Sequence, residues 1–182
     1  MSITKKSKKI GILTAGGDCP GLNAAIRGVG KTAIVEYGME VLGFNAGFLG
    51  LINGDYIELK EAQLSGILTL GGTILGTSRE KPYKLVSENG EENHKPEKII
   101  ETYKNLGLDA VVCIGGNGTM KTADLLSKEG LNIIDCHRCH RPFTYHGQLT
   151  PKGDDYRNYG AQCWLAGAVL GDCRWWRHHP HP

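Results

Sequence analysis

Residues 1 to 134 contain no tryptophan and only two arginines, Arg27 and Arg79, against 13 lysines. With a formal net charge of +2 over the whole chain, no strongly basic face or acidic tail marks a nucleic-acid partner. Nowhere does an apolar run approach the ~20 residues that a membrane-spanning helix needs. The polar, lysine-rich start Met1 to Lys9 has no apolar core of the kind that a secretory signal requires, so the expected setting is the cytoplasm, without a membrane partner. Cysteine is scarce in this stretch too, with Cys19 and Cys113 alone, and a chain kept in a reducing compartment does not use them as a disulfide framework.

The composition changes abruptly after Ile134. Residues 135 to 182 have no isoleucine, no glutamate, one valine and one lysine against five arginines, and they hold four of the six cysteines, six of the seven histidines and all three tryptophans. So little aliphatic periodicity gives the segment almost nothing from which to build a strand or an amphipathic helix. The boundary falls at Ile134/Asp135, with one core expected before it and a disordered tail after it.

Before that boundary, short apolar runs alternate with helical patterns, the signature of an α/β layer around a mostly parallel sheet. Ile10 to Ala15 reads as a strand, followed by a helix over Leu22 to Tyr37 that is closed by Gly38. Met39 to Phe44 reads as a second strand, and Gly47 to Asn53 as a turn-rich link. Glu97 to Asn105 is expected to be a helix feeding a strand over Ala110 to Ile114, then comes a helix over Thr119 to Lys128, and Leu131 to Ile134 begins another strand.

Two loops share one design. A buried strand runs into paired glycines, then a polar residue, then a helix start: Gly16-Gly17-Asp18-Cys19-Pro20-Gly21 and Gly115-Gly116-Asn117-Gly118-Thr119. At the carboxyl end of a parallel strand, glycines let the backbone turn sharply and approach a ligand, and the helix behind offers free N–H groups and the positive end of its dipole. Either loop alone is ordinary turn chemistry as readily as a site, but two at strand-to-helix junctions favour a polyphosphate. Neither ends in the Gly-Lys-Ser/Thr of a P-loop or has the glycine spacing of a dinucleotide fingerprint. A third glycine-rich segment, Gly71 to Arg79, ends on one of the two arginines, whose planar fork matches phosphate oxygens.

The three segments together resemble the phosphofructokinases. KKIGILTAGGDCPGLNAAIRG is similar to the family's opening strand and loop, GFNAGFLGL to its next strand and turn, GGTILGTSR to its nucleotide-side loop, and GGNGTMKTADLL to its GGDGS/T motif and helix. The resemblance implies a Rossmann-like three-layer fold with a parallel sheet, truncated to the family's N-terminal portion, with residues 1–134 as the nucleotide-binding domain. It implies a glycolytic phosphotransferase that uses ATP and Mg²⁺ to convert fructose 6-phosphate into fructose 1,6-bisphosphate, in a homo-oligomeric, allosteric family. By the same resemblance Gly16, Gly17, Arg79, Glu80, Gly116, Asn117, Gly118 and Thr119 contact ATP, and Asn117 stands where many members hold Mg²⁺ with aspartate. Gly118 matches members that use ATP rather than pyrophosphate, Asn45 replaces an adenine-side tyrosine of several bacterial members, and Arg27 matches an effector-site arginine. Lipid and NAD kinases also have a GGDGT-like loop but lack the GGDCPGLN opening and the GTSR segment.

The family's T-(I/V)-D-N-D loop, whose carboxylate accepts the sugar hydroxyl's proton, has no counterpart after Ile134. No catalytic residue is therefore assigned, and the chain is expected to be inactive; the competing reading is a nucleotide-binding or subunit-association fragment. Cys136-x-x-Cys139 with His137, His140 and His146 supplies ligand types for a metal, but a single CxxC is a weak signal. Read one base later, codons for Asp135 to Pro142 permit I/T-A-T-D-A-I-D-R, those for Gly160 to Ala168 permit G-H-N-A-G-W-L-A-L, and those for Leu170 to Pro182 permit S-G-I-A-G-G-A-I-I-L-I-P. These resemble, in order, the family's TEAIDRL helix, MGR-x-AGWLAL loop and AGGAD strand. The one-codon Trp164, Trp175 and Trp176 all turn into the required glycines, which favours an out-of-frame tail over a metal site.

Overall fold

The computed structural model describes residues 7–83 and 95–136. Their centre is a five-stranded sheet built from β1 (Lys9–Ala15), β2 (Glu40–Phe44), β3 (Tyr56–Glu58), β4 (Ala110–Gly115) and β5 (Ile133–Cys136), in the order β3-β2-β1-β4-β5. All neighbours are parallel except the short β2–β3 pair. The mostly parallel α/β sheet expected from the sequence is therefore present.

Alternation along the strands decides which helix covers which face. Ile10 and Ile12 of β1, Val41 of β2, and Ala110, Val112 and Ile114 of β4 pack under α1 (Leu22–Lys31) through Leu22, Ile26 and Val29. The same cluster takes in Leu64 of the one-turn helix α3 (Glu61–Leu64) and Ile67 of the 3₁₀ turn after it. On the opposite face, Leu13, Leu42, Phe44, Val111 and Cys113 meet α2 (Phe48–Asn53), α4 (Lys95–Leu106) and α5 (Asn117–Lys128) through Phe48, Leu51, Ile99, Ala123 and Leu126. Helices on both faces of one sheet make the three layers, and none among the described residues is long and apolar enough to cross a membrane.

The helix expected over Leu22 to Tyr37 runs as α1 and then widens into a π turn over Thr32–Glu36. Gly38 closes it, its N–H donating to the Ile34 carbonyl at 3.1 Å while Met39 N–H reaches Ala33 O at 2.9 Å. One expectation fails outright: the turn-rich link at Gly47 to Asn53 is helix α2. Phe48, Leu51 and Ile52 sit at i, i+3 and i+4 and are 1%, 0% and 8% exposed, so burial of one apolar face outweighs the turn preference of the glycines around it. β3 had no sequence expectation, and its three residues are all exposed. β5 continues two residues past the Ile134/Asp135 boundary, pairing Asp135 with Cys113 and Cys136 with Ile114. The rest of the tail, including His137, Cys139, His140 and His146, lies outside the described residues.

The chain passes from β1 through α1 to β2 on one side of β1, and later through α4 to β4 on its other side. The order therefore reverses between β1 and β4. In open α/β sheets that reversal leaves a crevice at the carboxyl ends of the two strands, where ligands bind.

Candidate functional site

β1 and β4 end side by side, with Ala15 paired to Gly115, so the two glycine loops leave the sheet as neighbours. A hydroxyl fastens them together: Thr119, 5% exposed, donates from Oγ1 to the Ala15 carbonyl at 3.2 Å. Gly115 is glycine because the strands come so close. A Cβ there would lie 2.5 Å from Ala15 O and against the Thr119 hydroxyl. Gly16 is glycine for a conformational reason, since the turn out of β1 puts it at φ +97°.

Beyond this clamp the backbone opens out. Gly17, Gly116, Asn117 and Gly118 are exposed, and a side chain at Gly17, Gly116 or Gly118 would point into open space. Helix α5 begins at Asn117, and its first internal bond runs from Met120 N–H to Gly116 O at 3.1 Å. The N–H groups of Gly118 and Thr119 lie ahead of that bond and have no carbonyl to reach within the helix. Together with the dipole of a 12-residue helix they form an anion-seeking end.

The third segment is drawn onto the first. Gly16 N–H donates to Ser78 O at 3.0 Å, Ala46 N–H to Leu75 O at 2.8 Å, and the Asp18 carboxylate lies beside Gly72. Arg79 follows directly and is exposed, with no hydrogen bond or ion pair among the described residues. An arginine carries the permanent charge and planar fork that match phosphate oxygens, and this one follows directly on the residue bonded to the first glycine loop. Glu80 turns elsewhere, accepting from Lys95 Nζ at 2.8 Å, so its carboxylate ties the segment to α4. Asn45 is likewise engaged, donating through Nδ2 to Asp55 Oδ1 at 2.9 Å and closing the β2–α2–β3 turn. Arg27 sits half-buried in α1.

Magnesium retains several waters and is held by one or two protein oxygens together with the phosphates of its substrate. Asn117, exposed at the start of α5, carries a neutral amide, and no cluster of three or more His, Cys, Asp or Glu suited to a metal exists among the described residues. A neutral amide fits a cation that would be held mainly by a polyphosphate and its own waters.

Residues that sequence reasoning did not single out are Thr14 and Asn23, 0% and 2% exposed, which bond to the segment that carries Arg79. Their signal was present: a hydroxyl at the end of an otherwise apolar strand, and an asparagine in the first turn of a buried helix, both need partners once buried.

The phosphofructokinase family profile matches residues 9–138, spanning all five strands and both glycine loops. The chain belongs to the phosphofructokinase family. It is 55% identical over 129 residues to the ATP-dependent 6-phosphofructokinase 3 of Bacteroides thetaiotaomicron, a match covering 69% of this chain and 37% of the relative. It is 56% identical over 133 residues to the ATP-dependent 6-phosphofructokinase of Spirochaeta thermophila, covering 70% and 36%. A pyrophosphate–fructose 6-phosphate 1-phosphotransferase of Dictyoglomus thermophilum matches at 44% over 126 residues, covering 69% and 34%. Among solved structures, Pichia pastoris phosphofructokinase in the T-state superposes with a TM-score of 0.61 at 38% identity, over 69% of this chain and 13% of that one. The chain therefore spans little more than a third of the length of the curated phosphofructokinases it matches.

Proposed function

We propose that this chain forms the nucleotide half-site of an ATP-dependent 6-phosphofructokinase, and that it binds Mg²⁺–ATP without transferring the phosphoryl group. The observation that carries the reading is the junction itself: two glycine loops and the N-terminus of α5 meet at the point where strand order reverses, and Ser78, one residue before the exposed Arg79, is bonded to the first of those loops. Phosphoryl transfer asks a protein for positioning and charge neutralisation more than for covalent chemistry. Here the backbone of Gly16, Gly17, Gly116, Gly118 and Thr119 would cradle phosphate oxygens, Arg79 would neutralise them, and Asn117 would lie on the side of the magnesium. The metal, when bound, would neutralise charge on the nucleotide's phosphate oxygens. Glu80 acts from behind, holding its segment against α4 through Lys95.

The sugar-phosphate side needs a carboxylate to take the proton of the attacking hydroxyl, and no T-(I/V)-D-N-D-like loop occurs in these 182 residues. We attribute this to a deletion not divisible by three after Ile134, which leaves residues 135–182 out of frame with the family's second half. The nearest reading of the complete gene product is a cytoplasmic, homo-oligomeric glycolytic enzyme acting on fructose 6-phosphate. The names of the two ATP-dependent relatives and Gly118 at the start of α5 favour ATP over pyrophosphate as donor.

Isothermal titration of the full chain with Mg²⁺–ATP, with and without fructose 6-phosphate, tests the first part. Saturable binding that Arg79→Met weakens about tenfold, with no fructose 1,6-bisphosphate formed, is the expected result. Absence of nucleotide binding overturns the half-site, and sugar phosphorylation overturns the missing base. Sequencing the transcript across codons 125 to 182 and beyond tests the second part: an open shifted frame that continues past the last codon supports it, and a closed one removes it.

A further inference from the structure

We infer that Thr14 and Asn23 are positioning residues that aim Arg79 at the phosphate junction, a role that rests on the nucleotide reading above. The segment 70–78 forms no helix or strand, and its place is set by bonds from β1, α1 and the loops that follow β1 and β2. Asn23 makes three bonds to it: its N–H to Gly72 O at 3.2 Å, its Nδ2 to Leu70 O at 3.0 Å, and its Oδ1 from Ile74 N–H at 2.8 Å. Both ends of the amide are used in one orientation, since a carbonyl faces one and an N–H faces the other.

Proton bookkeeping fixes the second anchor in the same way. Gly76 O can only accept, so Thr14 Oγ1 spends its single proton there, at 2.8 Å. The 3.0 Å contact between Thr14 Oγ1 and Thr73 Oγ1 must then be donated by Thr73, whose oxygen in turn accepts Leu75 N–H at 3.1 Å. The result is a directed relay, Leu75 N–H to Thr73 to Thr14 to Gly76 O, with no freedom to reverse. Leu75, 2% exposed, is pressed into the core beside it. Two residues beyond the relay, Gly16 N–H holds Ser78 O, and Arg79 leaves the segment from that fixed point. Glycines at Gly71, Gly72 and Gly76 would let this segment wander, and the two buried polar side chains restrict it together with the backbone bonds from Ala46 and Gly16.

The test uses the full chain. Thr14→Val is close in shape but cannot donate, and Thr14→Ser restores the hydroxyl. Hydrogen exchange comes first, because it needs no ligand: amides of residues 73 to 78 should exchange at least about tenfold faster in Thr14→Val, with β4 amides unchanged. Titration with Mg²⁺–ATP follows. Thr14→Val should weaken binding about fivefold to tenfold and Thr14→Ser less than about twofold, while in an Arg79→Met background Thr14→Val should cost less than about twofold. Equal losses in both backgrounds would show that Thr14 does not act through Arg79, and unchanged exchange would show that it does not hold the segment; either overturns the inference. A parent chain that binds no nucleotide refutes the proposed function and leaves the exchange result to decide the anchoring. Should Thr14→Val not fold, Asn23→Ala takes its place in both measurements with the same expectations.

Discussion

The two glycine loops read almost alike in sequence and are built differently. After β1 the chain leaves through Gly16 at φ +97°, crosses Asp18, Cys19 and Pro20, and enters α1 only at Leu22. After β4 it takes one extended residue, Gly116, and enters α5 at Asn117. The first loop has length and turns it toward its neighbours, holding Ser78 and lying against Gly72. The second has no length, and what it presents is the end of a helix. Paired glycines after a strand thus serve two ends: in one loop to make room for another segment, in the other to bring a helix terminus up to the sheet. The first loop thus holds the segment that carries Arg79, and the second presents the N–H groups of a helix terminus.

The largest effect that would break this comparison is at the shared seam. Gly115→Ala forces a methyl to within 2.5 Å of Ala15 O and against Thr119, in a place where neither strand can yield without losing its partner. Overpacking of this kind costs about 3 kcal/mol. Gly116→Ala, one residue on, adds a methyl in open space and should stay within about 0.5 kcal/mol. Urea unfolding of the two variants separates them, and equal midpoints would mean that the strand ends are not as tightly apposed as described.

A smaller effect distinguishes the reasons for glycine within the first loop. Gly16→Ala meets no close atom, its nearest neighbour being Thr119 Oγ1 at 3.8 Å, but it places a Cβ on a residue at φ +97°. The expected loss is about 1 to 2 kcal/mol, from backbone strain rather than from contact. Gly17→Ala has neither problem, and any effect it shows should fall on nucleotide affinity and leave unfolding unchanged. If Gly17→Ala proved the more destabilising of the pair, the turn out of β1 would have to be assigned differently.

Much of this was legible beforehand because the signals are local. Ile10 to Ala15 and Ala110 to Ile114 are apolar runs that stop at glycine pairs, and both are strands within a residue of those limits. Helix α2 is hidden in the sequence by Gly47, Gly50 and Gly54, and Phe48, Leu51 and Ile52 count as a face only when there is a sheet to bury them. Of the eight residues that the resemblance assigns to ATP, six lie in the two loops at the ends of β1 and β4, and Arg79 and Glu80 follow the segment bonded to the first loop. The Thr119 hydroxyl is turned inward to Ala15, and Glu80 is paired with Lys95. Thr14 and Asn23 were not legible as anchors, because their partners lie 47 to 62 residues further along the chain and no periodicity links such distant positions.

The smallest expected effect concerns how the arginine segment is held on the side of the second loop. Four residues past Arg79, Tyr83 packs against the cluster that contains Ala123 and Leu126 of α5. Its hydroxyl is buried without a hydrogen bond of acceptable geometry among the described residues, and burial, with the Glu129 carboxylate alongside, pushes the phenol above its ordinary value near 10. The folded state therefore holds the phenol neutral at a pH where the unfolded chain has begun to ionise. This contribution to stability is complete below pH 10 and is lost as the pH rises beyond it, because the unfolded state releases its proton first. Tyr83→Phe cannot ionise and removes an unsatisfied polar atom, so at pH 7 it should match the parent or exceed it by about 1 kcal/mol. Between pH 10 and 11 the advantage should widen, which urea unfolding of both proteins at matched pH would measure. A gap that stays constant through that range would mean that the hydroxyl is already solvated, and that Tyr83 does not seal the arginine segment against α5.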